Sequence, residues 1–465
     1  YAKAGILQEN GTYLFTKDAT IALTDKSAIN AQENVNIDAT NKKLNVKVNG
    51  NTTETLSAIN STNKNTTITA GKLNINVNNT AGRAEGITVT GTDSANKTVT
   101  KIDADVNINT TGSKNAIGLH SSGSSELTIN GDVNFNVKDT NSPQSKYNYY
   151  SDGAIYAGGN QKIQQGSTIN VNGNVNLQGN GIYANGNGST VNINGGGIIN
   201  VDKDKPNGAF AIGVQSGTVN LNMDNNNRTA LNNDLVINGN VSLTSGSMVN
   251  TENHKESIVN IGLATNKSSL NGVIANGFSE KDTTNGFTGS ANLYLSNGAT
   301  WNNELYGELP SNWGGGNFTG SKLDKFVGGD SEKTAGVIHQ KDSHDITIGN
   351  YSGHSMVIYE HTGDGTKAEH YTAGNTIINS AQAGSGITMS TDNSGIDMQD
   401  KTKVEATLNA LAGKLYYMNS DKDKNLSGKV QIAEGLTSSS ASLQVGNIEF
   451  KENHQGDYVE GTMTP

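Results

Sequence analysis

A short alternating phrase recurs along this chain, and any fold it adopts must accommodate that phrase many times over. It opens as Val35-Asn36-Ile37 and Leu44-Asn45-Val46-Lys47-Val48, and returns as Leu73-Asn74-Ile75-Asn76-Val77 and Val106-Asn107-Ile108. It continues through Val133-Asn134-Phe135-Asn136-Val137, Ile169-Asn170-Val171, Val175-Asn176-Leu177, Val191-Asn192-Ile193, Val219-Asn220-Leu221-Asn222-Met223 and 235–243. Successive strand side chains point to opposite faces, so each phrase puts Val, Ile or Leu on one face and mainly Asn, Thr or Lys on the other. Gly, Asn and Asp around the phrases supply turns. A second mark repeats at longer range. Ala116-Ile117-Gly118, Ala154-Ile155-Tyr156, Gly181-Ile182-Tyr183 and Ala211-Ile212-Gly213 each precede a short strand or strand pair, about 27 to 38 residues apart.

Self-similarity of this kind indicates stacked structural units. At 465 residues the chain exceeds what one compact core fills, yet apolar residues are only 33% and aromatics 5%, while asparagine outnumbers even the 56 glycines. Disorder would need more proline and charge than 4 prolines and 16% charged residues supply. A sandwich would show larger aromatics in its core. Stacked coils satisfy the pattern, because each short strand pairs on both sides with its neighbours about 4.8 Å away. The expected fold is therefore all-β, a right-handed parallel β-helix (solenoid), since the six-residue regularity of left-handed ones is missing. Its asparagines are expected to stack as ladders at turns. Coils of about 20 to 25 residues would give a rod on the order of 100 Å. One stretch breaks the pattern: Val404, Leu408, Leu411 and Leu415 follow a helical stripe, predicting a short amphipathic helix over 401–418 that lids the rod. Alternation resumes at Val430-Gln431-Ile432 and Leu443-Gln444-Val445. The organisation read from this is a β-helix over 1–400 with loop insertions near 138–153 and 305–325, the helix at 401–418, and final coils or stem over 419–465.

The blocks VEATLNALAGKLYY (404–417) and LSGKVQIAEGLTSSSASL (426–443) resemble a module of adhesin-type (type V) autotransporter passenger domains of Gram-negative anaerobes, fusobacterial and Veillonella-like among them. LYLSNGATWNN (293–303) is similar to the L-x-x-x-A-x-W motif on late coils of such passengers, and ITIGNYSGHSMVIYEH (346–361) to the adjoining stretch. These matches cover about the last 170 residues; the N-terminal part is similar only in style. The resemblance implies a monomeric passenger on a right-handed β-helix, exported through and anchored by an outer-membrane β-barrel that would lie outside these residues, since they lack a barrel's series of amphipathic strands. It carries over no catalytic residue.

The residues themselves narrow the chemistry. A formal charge of −10 and only two arginines, Arg83 and Arg228, argue against nucleic acid as a partner. Without cysteine there are no disulfides or thiolate metal sites. Gly329-Asp330-Ser331 lacks the following Gly of a trypsin-like nucleophile motif, and Gly353-His354-Ser355-Met356-Val357 lacks the last Gly of a nucleophile elbow. Five of eight histidines, His339, His344, His354, His361 and His370, fall close together, but their spacing matches no metal-ligand motif and they read as surface residues. Asp397, Asp400 and Asp421 sit in ordinary turn contexts, and the glycine-rich calcium nonapeptide is absent. No enzyme, metal or cofactor is expected.

Two segments are dense in aromatics for so aromatic-poor a chain. One carries Tyr147, Tyr149 and Tyr150; the other carries Tyr306, Trp313 and Phe318 around Pro310. Both read as loops leaving the coil, where protruding aromatics anchor proteins and sugars. The competing reading is that they fold back over the rod's apolar rim. The function expected is a surface-exposed adhesin passenger binding a host-cell or bacterial surface protein or glycan, or associating with itself. The alternatives are a β-helix polysaccharide lyase, or a passive stalk.

Overall fold

A computed structural model describes residues 5–7, 11–140, 153–204, 208–245, 256–309, 318–392, 400–417, 427–433, 442–452 and 459–464. The alternating phrases form strands, and each strand lies parallel to its counterpart one coil away. Thus Val35–Gly50 pairs with Thr66–Asn79, which pairs with Thr98–Gly112, which pairs with Val133–Asp139. Through such pairings the chain builds the right-handed parallel β-helix expected from its sequence, with three columns of stacked strands around one core. One column alone holds fourteen strands, from Ala19–Thr24 to Ser427–Ala433. At the usual strand separation that stack rises about 60 Å.

The rod is shorter than expected because each coil is longer. Following one column, Ile29 aligns with Ile59, Ile87, Leu119, Ile155, Ile182 and Ile212 in turn, which sets coils of 27 to 36 residues. The two alternating phrases of a coil make two of its sides, and the Ala-Ile-Gly mark is itself a strand making the third.

Inside, side chains stack like upon like. Val46, Ile75, Ile108, Phe135, Leu177, Ile199, Ile237, Leu270, Trp301, Ile338, Val357 and Met389 form one continuous column, every member buried. Burying a side chain of this size contributes about 1.5–3 kcal/mol, and the parallel pairing satisfies most of the strand backbone, with Asp and Asn side chains accepting corner amides such as Lys43, Asp132, Asn174 and Gly196. Corners use left-handed residues: Asn41, at φ 61°, lets Val35–Gly50 turn from one column into the next.

Two helices accompany the coils. Lys401–Ala412 is capped by Asp400, whose carboxylate accepts from the Thr402 and Lys403 backbone amides at 3.1 and 3.2 Å. It buries Leu408 and Leu411. It is shorter than the predicted 401–418, because Gly413 ends it and Leu415 begins the strand Leu415–Tyr417. Leu415 fits the helical stripe by spacing but is buried as a strand residue. The second helix, Glu280–Asn285, has no apolar stripe and was not anticipated. The last strands depart from the coil: Ser442–Glu452 and Val459–Thr464 pair antiparallel with each other and with Ser427–Ala433 and Leu415–Tyr417. Among the described residues no helix is long and apolar enough to cross a membrane.

Candidate functional site

Two surfaces carry unspent hydrogen-bonding capacity. The first is the outward face of the early coils. Asn45, Asn74, Asn107 and Asn134 stand in register, and each amide donates to the oxygen of the one before it: Asn74 to Asn45 at 2.9 Å, Asn107 to Asn74 at 2.9 Å, Asn134 to Asn107 at 3.0 Å. Two residues along the same strands lies a second row, Lys47, Asn76, Asn109 and Asn136. This row is exposed, and the side chains of Asn76, Asn109 and Asn136 make no hydrogen bond among the described residues. The two rows wall a shallow groove of about 430 Å³. The ladder is thus half spent and half open: one row rigid and internally bonded, the next presenting regularly spaced amides to whatever lies outside.

Ladders recur elsewhere. Asn192 donates to Asn170, Asn220 to Asn192, Asn260 to Asn220 and Asn292 to Asn260, all at 2.8–2.9 Å. Sequence reasoning expected such ladders at turns. Asn130, Asn172 and Asn194 do stack at one, but the longer runs lie on strand faces, where parallel register aligns them automatically.

The second surface is a lateral cleft of about 410 Å³ on the column that carries the Ala-Ile-Gly marks, lined by Arg83, His120, Tyr156, Gln161, Asn185 and Gln215 among others. Arg83 and His120 of that lining contact Glu85, which is only 2% exposed. Register places Glu85 between Ser57 of the preceding coil and Ile117 of the next. Three groups compensate it. His120 Nδ1 lies 2.7 Å from Oε1, and the Thr88 hydroxyl donates to the same oxygen at 2.8 Å. Arg83 Nε approaches Oε2 to 2.6 Å, a contact of charges rather than a well-directed hydrogen bond. Burial pushes the Glu85 carboxyl up, but the charge and hydrogen bond of His120, then Arg83 and Thr88, outweigh it and hold the group at about 2. His120 packs edge-on against Tyr156, ring centroids 5.2 Å apart, and Asn185 donates to the Tyr156 hydroxyl at 3.1 Å. Burial raises the Tyr156 phenol above its ordinary value, with the Asn185 bond opposing. The chain thus spends one of its two arginines here.

Of the aromatic loop residues, Tyr306 and Phe318 are described, and both rings are half-buried. The Tyr306 hydroxyl donates to the Val201 carbonyl at 3.1 Å, its backbone amide donates to Asn240 Oδ1 at 3.0 Å, and Lys203 Nζ sits 5.3 Å from its ring. Phe318 lies 4.8 Å from the His344 ring and packs against a small cluster of Tyr183, Phe210, Ala275 and Phe278. These two therefore cover the rod. The segment 305–325 is not all insertion, since the strand Gly320–Val327 belongs to the coils. Tyr147, Tyr149, Tyr150 and Trp313 lie outside the described residues, as do Asp397 and Asp421.

The histidine group does not converge. His344 pairs with Asp342 at 2.8 Å, His370 with Asp364 at 3.3 Å, and His361 with the Thr391 hydroxyl at 2.6 Å. Among the described residues no three metal-ligating side chains gather. The Ser331 hydroxyl faces Thr334 at a short 3-10 turn. The cleft was missed by sequence reasoning; its only trace there is Ala84-Glu85-Gly86, which lies in register with Ala116-Ile117-Gly118.

Comparison with known proteins adds no relative: no family model, no curated protein and no solved structure matches this chain.

Proposed function

We propose that this chain is a contact rod, the surface-displayed passenger of an adhesin, whose role is binding or self-association. The carrying observation is the exposed row Asn76, Asn109 and Asn136 beside the bonded ladder Asn45–Asn74–Asn107–Asn134. A fold needs only the inner column and the backbone ladders to stand. The asparagines of the outer row add a stiff, periodic set of donors and acceptors beside Lys47, each weak, whose contributions sum over the three coils that carry them when a partner presents a matching repeat. Such a surface suits a second copy of the rod or a regular cell-surface polymer. We locate the contact on this face in preference to Tyr306 and Phe318, which are committed to packing.

The test is display on a non-adherent bacterium, with the anchoring barrel alone as reference, scored for autoaggregation and for binding to host cells. Gain in either assay is expected. No gain in both would overturn the proposal and leave the stalk reading in its place.

A further inference from the structure

We propose that the lateral cleft at Arg83 is a binding site for a saccharide bearing a carboxylate. The guanidinium is held from behind: Glu85 takes its Nε edge at 2.6 Å, and the remainder of the fork has no hydrogen-bond partner among the described residues. The Arg83 side chain is 27% exposed, while the Glu85 side chain is 3% exposed. Glu85 is therefore an orienting group that an incoming anion does not meet, and it is already engaged by the His120 ring and the Thr88 hydroxyl as well as by Arg83. A planar fork with one edge fixed and its other nitrogens open matches a carboxylate in two-point geometry.

The rest of the lining selects the ligand's body. Gln215, one coil beyond Asn185, has a side-chain amide without a partner among the described residues. Asn185 spends its N–H₂ on the Tyr156 hydroxyl and keeps its oxygen toward acceptor duty. Amides of this kind bond sugar hydroxyls, and the Tyr156 ring offers an apolar wall for sugar C–H groups. Gly158, Gly159 and Gly186 also line the cleft, where neighbouring coils approach closely: a Cβ on Gly159 would come within 2.7 Å of the Gly186 carbonyl oxygen. At about 410 Å³ the cleft admits a sugar residue or two rather than a macromolecule. A polyanion is disfavoured, because the chain's formal charge of −10 opposes it while one arginine offers a single clamp.

This inference names a ligand class for the surface reading above but does not depend on it, since it is tested on the purified chain. With only two arginines, a protein labelled with nitrogen-15 arginine gives two side-chain Nε–Hε signals. The probes are methyl β-glucuronide, methyl β-glucoside and a methyl sialoside. The glucuronide or the sialoside is expected to shift one signal, the one absent from Arg83→Lys; which of the two acts sorts uronates from sialates. The glucoside, which lacks the carboxylate, is expected to leave it in place. Arg83→Gln should weaken binding at least about tenfold, the loss of a charge-assisted two-point contact. Gln215→Ala, outside the buried ion group, should weaken it about two- to tenfold with folding intact. The inference is overturned if neither acidic sugar moves an arginine signal at tens of millimolar, if the glucoside moves it equally, or if both substitutions leave binding unchanged. Adhesion on display without binding here would sink this inference alone; binding here without adhesion would sink the contact-rod reading alone.

Discussion

The early and late coils share one backbone plan but fill it differently. Among the described residues, the main core before position 300 is aliphatic apart from Phe135. After that point it takes in Trp301, Phe326, Tyr351, Tyr359, Tyr371 and Tyr417. The early coils carry amide ladders on their outer strand faces, while Glu85 and hydroxyls such as Ser61 and Thr66 are buried within the stack. The late coils bury polar handles, so each needs a partner: Trp301 Nε1 donates to the Gly272 carbonyl at 3.0 Å, the Tyr351 hydroxyl to the Gly386 carbonyl at 2.7 Å, and the Tyr359 hydroxyl to Thr376 at 2.8 Å. The early plan tolerates irregular loops because stacking is generic. The late plan fixes a unique geometry because its hydrogen bonds are specific.

In a stack where each coil touches only its neighbours, stability is roughly a sum of local terms, so damage should stay in its own region. The sharpest break is Trp301→Ala, which removes the largest buried side chain and should cost about 3–5 kcal/mol. Hydrogen exchange should then accelerate in the flanking coils while the strands over 35–139 keep their protection; equal loss in both would show that the rod melts as one unit.

Opposite pH limits should follow next. The folded state holds Glu85 at about 2, against an ordinary value of 4.5. Its contribution, about 3 kcal/mol, is complete above pH 4.5 and is lost as pH falls from there toward 2. In the late coils burial holds the Tyr351 and Tyr359 phenols well above their ordinary value of 10.0. Their contribution is complete below that value and lost as pH rises past it. Exchange measured at the two extremes should therefore open the early coils first in acid and the late coils first in alkali; the reverse order would contradict the assignment.

Smaller still is Tyr351→Phe, which leaves the buried Gly386 carbonyl without its hydroxyl partner and should cost about 1–3 kcal/mol by denaturant unfolding. Smallest is Asn107→Ala in the middle of the half-buried bonded ladder, expected to cost about 0.5–1 kcal/mol, since water replaces the lost amide bonds. A larger cost there would mean that the ladder supports the early coils more than their core does.

The inward and outward faces of the strands were legible in the sequence, whereas the contrast between early and late cores was not. The alternation in Leu44-Asn45-Val46 and Leu73-Asn74-Ile75 marks inward and outward residues correctly, because a strand's period of two leaves no other choice. Coil length was less legible: the Ala-Ile-Gly column is buried on both faces, so its strands do not alternate, and it passed for a marker between strands. The helix end was hidden because Leu415 satisfies a helical spacing and a strand's inward position at once. The cleft was the least legible. Arg83 and Glu85, His120, Tyr156 and Asn185 meet only through register between coils of 32, 36 and 27 residues, and loop lengths alone do not reveal register.

The most direct test of the contact-rod reading is the double substitution Asn76→Asp and Asn136→Asp on the exposed row, displayed at equal surface density with the unaltered chain. The two sites lie two coils apart, so the new charges do not stack on each other, and the bonded ladder stays intact. Autoaggregation and cell binding should fall toward the level of the barrel alone while the circular dichroism spectrum stays unchanged. Full adhesion by the doubly charged variant would contradict a contact surface on this face.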